Sequence, residues 1–554
     1  MLATPALAQT SDQTGHFHQR SYLKESVIDR AVTATLKETC ADVEAGKLYQ
    51  FVDGRDTCLT ALDAATLADI NSAYATGVLK KGLTPDDVAQ IVEYVDAANI
   101  ADGHESFLVA EGGQIPLSIA PRDAPRNYRY VVAWDGDVFL SAAPGGDSSF
   151  LQVISWDETA QHFDFFEYRQ QVGSAQPTKV WSWAGRSDMS QDPQLRGRGC
   201  FDCHTNGVTI MKELVTPWNN WQSQTASIAA SHVPEAVANE ALFQNRTGAE
   251  VLEGKIKGAV TTFHNARIRR QAIFDRATKS FTLSGVPGFL RHATQGTTTN
   301  FVSSQIRSTN DERTVTIPLD LLLADDLLRS TLGIDYKISP DALTVPRDIY
   351  ADYIAKKEYA LVQAGRDGPL YVSPGSTYFT GFVPGVSFED VLVIRLLQNP
   401  VAGVDYSLIP PKFFAAIAMT DFPNPLFSDK RSALQAYADQ IPSGRVSPDE
   451  NTVVDDFVKA VTATAQGQAA CDTASVLTCS PEQQFLHYWS AGDDWQSAFG
   501  DVVMRYFEEE WSGPDAATKL LDQAEAARTQ FAKWPIISNL NEFSLLLPEP
   551  GAAN

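Results

Sequence analysis

Tyr128-Arg129-Tyr130-Val131-Val132-Ala133-Trp134 alternates large side chains, with Tyr128, Tyr130, Val132 and Trp134 all of one parity. A period of two puts such residues on one face of an extended strand. The same reading continues toward the C terminus. Val138 and Leu140 come next. Leu151, Val153 and Ser155 then alternate with Gln152, Ile154 and Trp156. Phe163, Phe165 and Tyr168 follow, and then Val180, Trp181 and Trp183. Turn-forming residues separate the runs at Asp135-Gly136-Asp137, Pro144-Gly145-Gly146-Asp147, Asp157-Glu158-Thr159 and Gly173-Ser174. Residues 104–185 are therefore predicted to form an antiparallel meander of five to seven strands.

Outward from the meander the period becomes helical. Upstream, Val27, Ala31, Val32, Leu36 and Val43 predict a helix over 20–48. Two more are predicted over 59–75 and 84–97, with Thr84 as the cap of the latter and Asp86 and Asp87 in its first turn. Downstream, helices are predicted over 233–245, 247–276, 318–333 and 349–364. The C-terminal third is predicted to be helical at 387–398, 409–420, 428–439, 448–466, 481–489, 492–511 and 515–533. The stretch 365–385 is rich in Gly, Pro, Ser and Tyr and reads as a loop.

Shortly after the meander stands Cys200-Phe201-Asp202-Cys203-His204. A C-x-x-C-H run is the attachment signal for c-type haem. Two thiols three positions apart reach the two vinyl groups of one porphyrin, and the following imidazole reaches the iron. A thioredoxin-like pair needs a βαβ setting, and a zinc site needs a second Cys/His pair at ligand spacing; neither accompanies this motif. The expected cofactor is one covalent haem c on Cys200 and Cys203, with His204 as the metal ligand. The expected fold class is α+β, mainly helical, with one antiparallel β-sheet region preceding the haem-attachment motif. The expected divisions are a signal-peptide remnant at 1–8, an N-terminal helical region at 9–100 and an antiparallel β region at 101–190. A haem c-binding region at 191–310 and a C-terminal helical region at 311–554 complete them.

The five residues from Cys200 to His204 resemble the attachment site of c-type cytochromes. The resemblance implies the cofactor and leaves the activity open. A strand-rich segment leading into the motif is similar in arrangement to the lysine-crosslinked monohaem cytochromes that oxidise hydroxylamine; Lys179 lies on the last strand, but no crosslink is inferred from it. Rubber oxygenases and dihaem peroxidases, also large periplasmic haem c enzymes, carry two attachment motifs where this chain has one.

The second axial position of the iron decides whether it binds oxygen, activates it or passes electrons. Candidates are His232, His264, His292 and Met211, or an open position. Met189 precedes the motif, and Met419 and Met504 are distant in sequence. Arg186, Arg196 and Arg198 flank the motif and suit a propionate, since a guanidinium fork matches a carboxylate. Trp181 and Trp183 are candidate walls of the haem pocket, and Trp218 and Trp221 candidate packing partners of the porphyrin.

Ala6-Leu7-Ala8 is an A-x-A cleavage signal, so export to the periplasm is expected, where haem c is attached. In that oxidising compartment Cys40, Cys58, Cys471 and Cys479 can pair in three ways; local pairing of Cys40 with Cys58 and of Cys471 with Cys479 is the simplest. No run of 18 apolar residues predicts a transmembrane anchor.

A net charge of −24 repels nucleic acid and suits a small basic cytochrome as electron partner. The 554 residues far exceed the hundred or so that shield one haem. The surplus predicts a substrate pocket, and hence a periplasmic haem c oxidoreductase acting on a small, hydrophobic or aromatic molecule by redox, oxygen or peroxide chemistry. The alternative is a non-catalytic electron-transfer or haem-sensing cytochrome.

Overall fold

The computed structural model describes residues between 40 and 532. Outside the described residues lie 53–57, 111–127, 172–177, 212–221, 223–226, 297–308, 357–370 and 373–386, with several shorter positions that include Cys203 and His232. About 48% of the structure is helix and 18% strand. The chain is α+β, but helix and sheet both build core, so it is not mainly helical in the sense expected.

The meander forms as read. β1 (Tyr49–Gln50) and β2 (Thr60–Ala61) precede it. Its strands are β3 (Asp102–Ala110), β4 (Tyr128–Asp135), β5 (Val138–Ala142), β6 (Leu151–Asp157), β7 (His162–Gln170) and β8 (Lys179–Arg186). Each pairs antiparallel with its neighbour in sequence. Gly136 and Asp137 turn β4 into β5 with positive φ, which both residue types tolerate. The sheet gains two strands that the alternation did not announce. β1 lies parallel to β8, and β2 closes that edge, giving the order β2-β1-β8-β7-β6-β5-β4-β3. The sheet is therefore mixed, not purely antiparallel. It is also not alone. Ala272–Asp275, Ser280–Ser284 and Ser443–Val446 form a second sheet, and shorter pairings occur at Thr309–Asn310 with Thr314–Thr316 and Thr344–Pro346, and at Tyr371–Val372 with Ser227–Ile228. These strands, most of them two to four residues long and set apart from any longer alternating run, carry too few alternations to be read from sequence.

Both faces of the large sheet are covered. On one, Tyr130, Val132 and Trp134 pack with α1 (Ala73–Gly77) and α2 (Val88–Ala98), through Tyr74, Ile91 and Val95. On the other, Ala133, Phe163 and Phe165 pack with α3 (Ala249–Gln271), through Leu252, Ile256 and Phe263. This double cover explains why β5 is almost wholly buried rather than half polar. α2 is capped by Asp87, whose carboxylate accepts from Gln90 N, and not by Thr84. The last part of the helix expected over 20–48 is coil at 40–48; the remainder lies outside the described residues.

The C-terminal part forms its own apolar core. It includes α4 (Val286–Thr294), α5 (Phe388–Gln398), α6 (Pro411–Met419), α7 (Thr452–Ala465), α8 (Pro481–Trp489), α9 (Trp495–Trp511) and α10 (Ala516–Ala532). α5 to α10 fall on predicted helices, whereas α4 has no counterpart among them; capping residues mark three of the starts, where Ser387, Asn451 and Ser480 each accept from the first turn. Edge-on rings of Phe413, Phe457 and Phe485 sit at its centre, with centroids 5.1 to 5.7 Å apart. Disulfides join Cys40 to Cys58 and Cys471 to Cys479, the local pairing. Among the described residues no helix is long and apolar enough to cross a membrane.

Candidate haem-attachment site and the buried histidine pairs

The attachment motif begins in a 3-10 turn, Gly199–Asp202. Cys200 is buried and Phe201 is fully so. The turn is closed by His204 N donating to Cys200 O at 2.8 Å and Gly207 N donating to His204 O at 2.7 Å. Gly207 has φ +73°, and a Cβ there would stand 2.2 Å from Ser187 O. Only glycine lets this loop lie against the end of the sheet. β7 supplies the wall: the Phe165 ring lies 5.5 Å from that of Phe201 and 5.3 Å from that of His204.

His204 Nδ1 stands 2.8 Å from Val208 O. A carbonyl oxygen can only accept, so Nδ1 carries the proton and Nε2 the lone pair. This is the usual second bond of a metal-binding imidazole: it fixes ring and tautomer and raises basicity at the other nitrogen. The residues present therefore fit a haem at three points. His204 presents an oriented Nε2, Cys200 is buried beside aromatic rings, and Arg198 Nη1 is buried with no hydrogen-bond partner, as suits a propionate.

The neighbouring candidates fall out differently. Cys203, His232, Arg196, Trp218 and Trp221 lie outside the described residues. Arg186 pairs with Asp188 at 3.1 Å. Trp181 and Trp183 belong to the face covered by α1 and α2, with indole nitrogens donating to Pro85 O and Asp164 Oδ1. The wall beside His204 is Phe165 instead, because alternation along β7 and β8 turns the two sets to opposite faces. Lys179 Nζ is held by Ser148 O and Oγ, both at 2.9 Å. Met211 is buried in the same apolar cluster as Cys200 and Phe201, whereas Met419 and Met504 pack in or against the C-terminal core.

The motif loop is tied to α4. Arg291, 1% exposed, donates through Nη2 to Thr205 O at 3.0 Å and to Asn206 Oδ1 at 3.1 Å. The next residue on the helix is His292, and its ring stands perpendicular to that of His264 on α3, with centroids 5.4 Å apart. Each imidazole donates to a carboxylate at the N-terminal turn of α5. His264 Nε2 reaches Glu389 Oε1 at 2.6 Å, and His292 Nδ1 reaches Asp390 Oδ1 at 2.7 Å. Neither pair is exposed to solvent. The α5 dipole favours carboxyl groups at its start. His264 Nδ1 is buried without a hydrogen bond, and so are both terminal nitrogens of Arg267. The Arg267 guanidinium lies 4.3 Å over the Phe289 ring, and burial pushes it down to about 10. Gly288 leaves the space that joins the two layers: a Cβ there would stand 2.5 Å from Arg267 Nη2 and 2.4 Å from Gln191 Oε1.

Burial holds both imidazoles below their ordinary value of 6.5. Glu389 opposes that shift at His264; at His292 the positive Arg267 and Arg291 add to it. Both rings are therefore neutral in the folded protein near pH 7. Below pH 6.5 the unfolded chain takes up protons that the folded chain refuses. Stability is thus present above 6.5 and declines as pH falls below it, by up to about 1.4 kcal/mol per pH unit for each ring. The urea midpoint is expected to drop between pH 7.5 and 5.5, and a His264→Gln/His292→Gln chain to show a shallower drop. An equal slope in both would dismiss the buried pairs as its source.

Sequence reading singled out His264 and His292 but missed Glu389, Asp390 and Arg291. The carboxylates lie 125 and 98 residues from their partners, and no local pattern links such distant positions. No protein-family model, no curated protein and no solved structure matches this chain.

Proposed function

We infer that this protein carries one haem c, covalently held by Cys200 and Cys203 with His204 on the iron, and that it is an oxidoreductase of the periplasm acting on a small molecule. The observation that carries this reading is the His204 Nδ1 to Val208 O hydrogen bond within a C-x-x-C-H run, which makes Nε2 the nitrogen that an iron would take. A bound haem supplies electron transfer or activation of a small ligand. The chain's own residues do the rest. Phe165 and Phe201 exclude water from one side of the attachment turn. Arg291 fixes the turn after His204 to the helix that carries His292. The two neutral imidazoles are suited to accept and return protons, His264 at Nδ1, while their carboxylate partners stabilise the charged ring during transfer. The acidic surface suits a small basic cytochrome as electron partner.

The second reading is electron transfer without catalysis. Met211, buried with Cys200 and Phe201, favours it, because a thioether on the iron would fill the sixth position. One experiment addresses both. The chain is produced in a periplasm equipped for haem c attachment, and its colour is extracted with acid acetone. Retained colour with a high-spin ferric spectrum that shifts on adding cyanide or peroxide is the expected result. Retained colour that ignores both ligands selects the electron-transfer reading. Colourless or fully extractable protein refutes the attachment itself.

A further inference from the structure

On the face of the large sheet away from Phe165, three side chains converge at the β6–β7 turn. Asp157 ends β6 and pairs across the ladder with His162, which starts β7. Asp164 follows two positions on, so alternation returns it to the same side. Their exposures are 1%, 7% and 0%. One ligand atom from each lies within 4.8 Å of the others, and His162 Nε2 stands 3.7 Å from Asp164 Oδ1.

The hydrogen bonds around this trio are arranged unevenly. Asp157 Oδ1 accepts from the backbone N–H groups of Thr159 and Ala160, at 2.9 and 2.8 Å. Asp164 Oδ1 accepts from Trp183 Nε1 at 3.1 Å. These contacts fix both carboxylates from behind. Asp157 Oδ2, His162 Nε2 and Asp164 Oδ2 are each buried with no hydrogen-bond partner. An isolated buried acceptor is costly, and three gathered at one place are rare in a settled interior. Nothing in the strand pairing requires them, since apolar residues would fill the same positions without that cost.

The geometry points to a binding site for one first-row divalent cation of the zinc or manganese class, held by Asp157, His162 and Asp164. The donor set decides the class: one imidazole disfavours calcium and magnesium, while two carboxylates and the lack of a thiolate disfavour softer ions. Three protein ligands with water completing the sphere is an ordinary coordination for such ions. Ligands around zinc at about 2.1 Å stand about 3.4 Å apart, so the trio closes by an ångström or so when the ion enters. The ion would brace the start of β7, whose other face carries Phe163 against Phe263 of α3 and Phe165 against Phe201 and His204. The inference does not rest on the haem reading.

The test uses the full chain after dialysis against EDTA. Zn2+, Mn2+ or Ca2+ is added separately and bound metal is counted by mass spectrometry, with iron counted apart. One equivalent of Zn2+ or Mn2+, with a raised urea midpoint, is expected. In Asp157→Asn and His162→Gln chains that equivalent should fall at least tenfold in affinity. Two variants are used so that misfolding of one leaves the other to decide; circular dichroism reports their folding. No bound Zn2+ or Mn2+ at micromolar concentration, binding of Ca2+ alone, or equal binding in a folded His162→Gln chain would overturn the assignment.

Discussion

A His204→Ala chain is expected to fold, to keep any porphyrin stapled through its thiols, and to lose the wild-type visible spectrum. The reasoning runs from the attachment turn. The imidazole is oriented by Val208 O, and its Nε2 is the group that the proposed iron would meet. Changes one shell further out typically cost 10–100-fold in metal affinity or activity, so removing the ligand itself should lower turnover by more than about 100-fold. The β7 wall is aromatic and does not depend on His204 for its packing, so circular dichroism should stay close to wild type. Free imidazole added to the variant fills the space left by the ring, and partial recovery of the spectrum separates ligand loss from misfolding. An unchanged spectrum, with unchanged response to cyanide, would remove His204 from the iron.

Arg291→Met is expected to give the largest loss of stability among single changes near the site. The guanidinium is 1% exposed and donates to Thr205 O and Asn206 Oδ1, both on buried residues. Hydrogen bonds to a charged group contribute roughly 1.5–3 kcal/mol, so losing two of them is expected to cost about 3 kcal/mol. Methionine keeps most of the volume, which isolates the polar contribution. The same change also lifts one positive charge from beside His292, which relaxes the downward push on that ring. Urea unfolding at pH 7.5 measures the first effect. An unchanged midpoint would mean that the loop is held from elsewhere. Loss of stability should be smaller for Arg198→Met, because the residue is half-buried overall and its buried Nη1 has no hydrogen bond to lose.

The sequence carried the architecture unevenly, for reasons that particular residues make plain. Strands β4 to β8 were legible because large side chains recur along them and residues such as Gly136, Gly145 and Asp157 mark breaks between them. The C-terminal helices were legible because capping side chains such as Ser480 and Asn451 stand at their starts. β1 and β2 escaped because two residues have no period, and their place in the sheet depends on β8, more than a hundred residues later. The C-x-x-C-H run from Cys200 to His204 was legible as a pattern because it occupies five consecutive residues. The histidine pairs were half legible: the imidazoles stood out as rare residues, whereas their carboxylates were two among many. The Asp157-His162-Asp164 group was missed for the opposite reason. Its members lie within eight residues of one another, but Asp157 looked like an ordinary turn residue, and only the ladder reveals that it faces His162.

The parallel pairing of β1 with β8 also governs the timing of assembly. Strand partners so far apart cannot meet until the whole meander has been made, because contacts of long sequence separation form slowly. Until then β8 presents an open row of backbone donors and acceptors, the kind of edge at which partly made chains stick together. The Cys40–Cys58 bridge flanks the short segment that finally covers it. The bridge ties down the chain on both sides of β1, so chains kept reduced are expected to hold that strand less firmly and to aggregate more readily through this border.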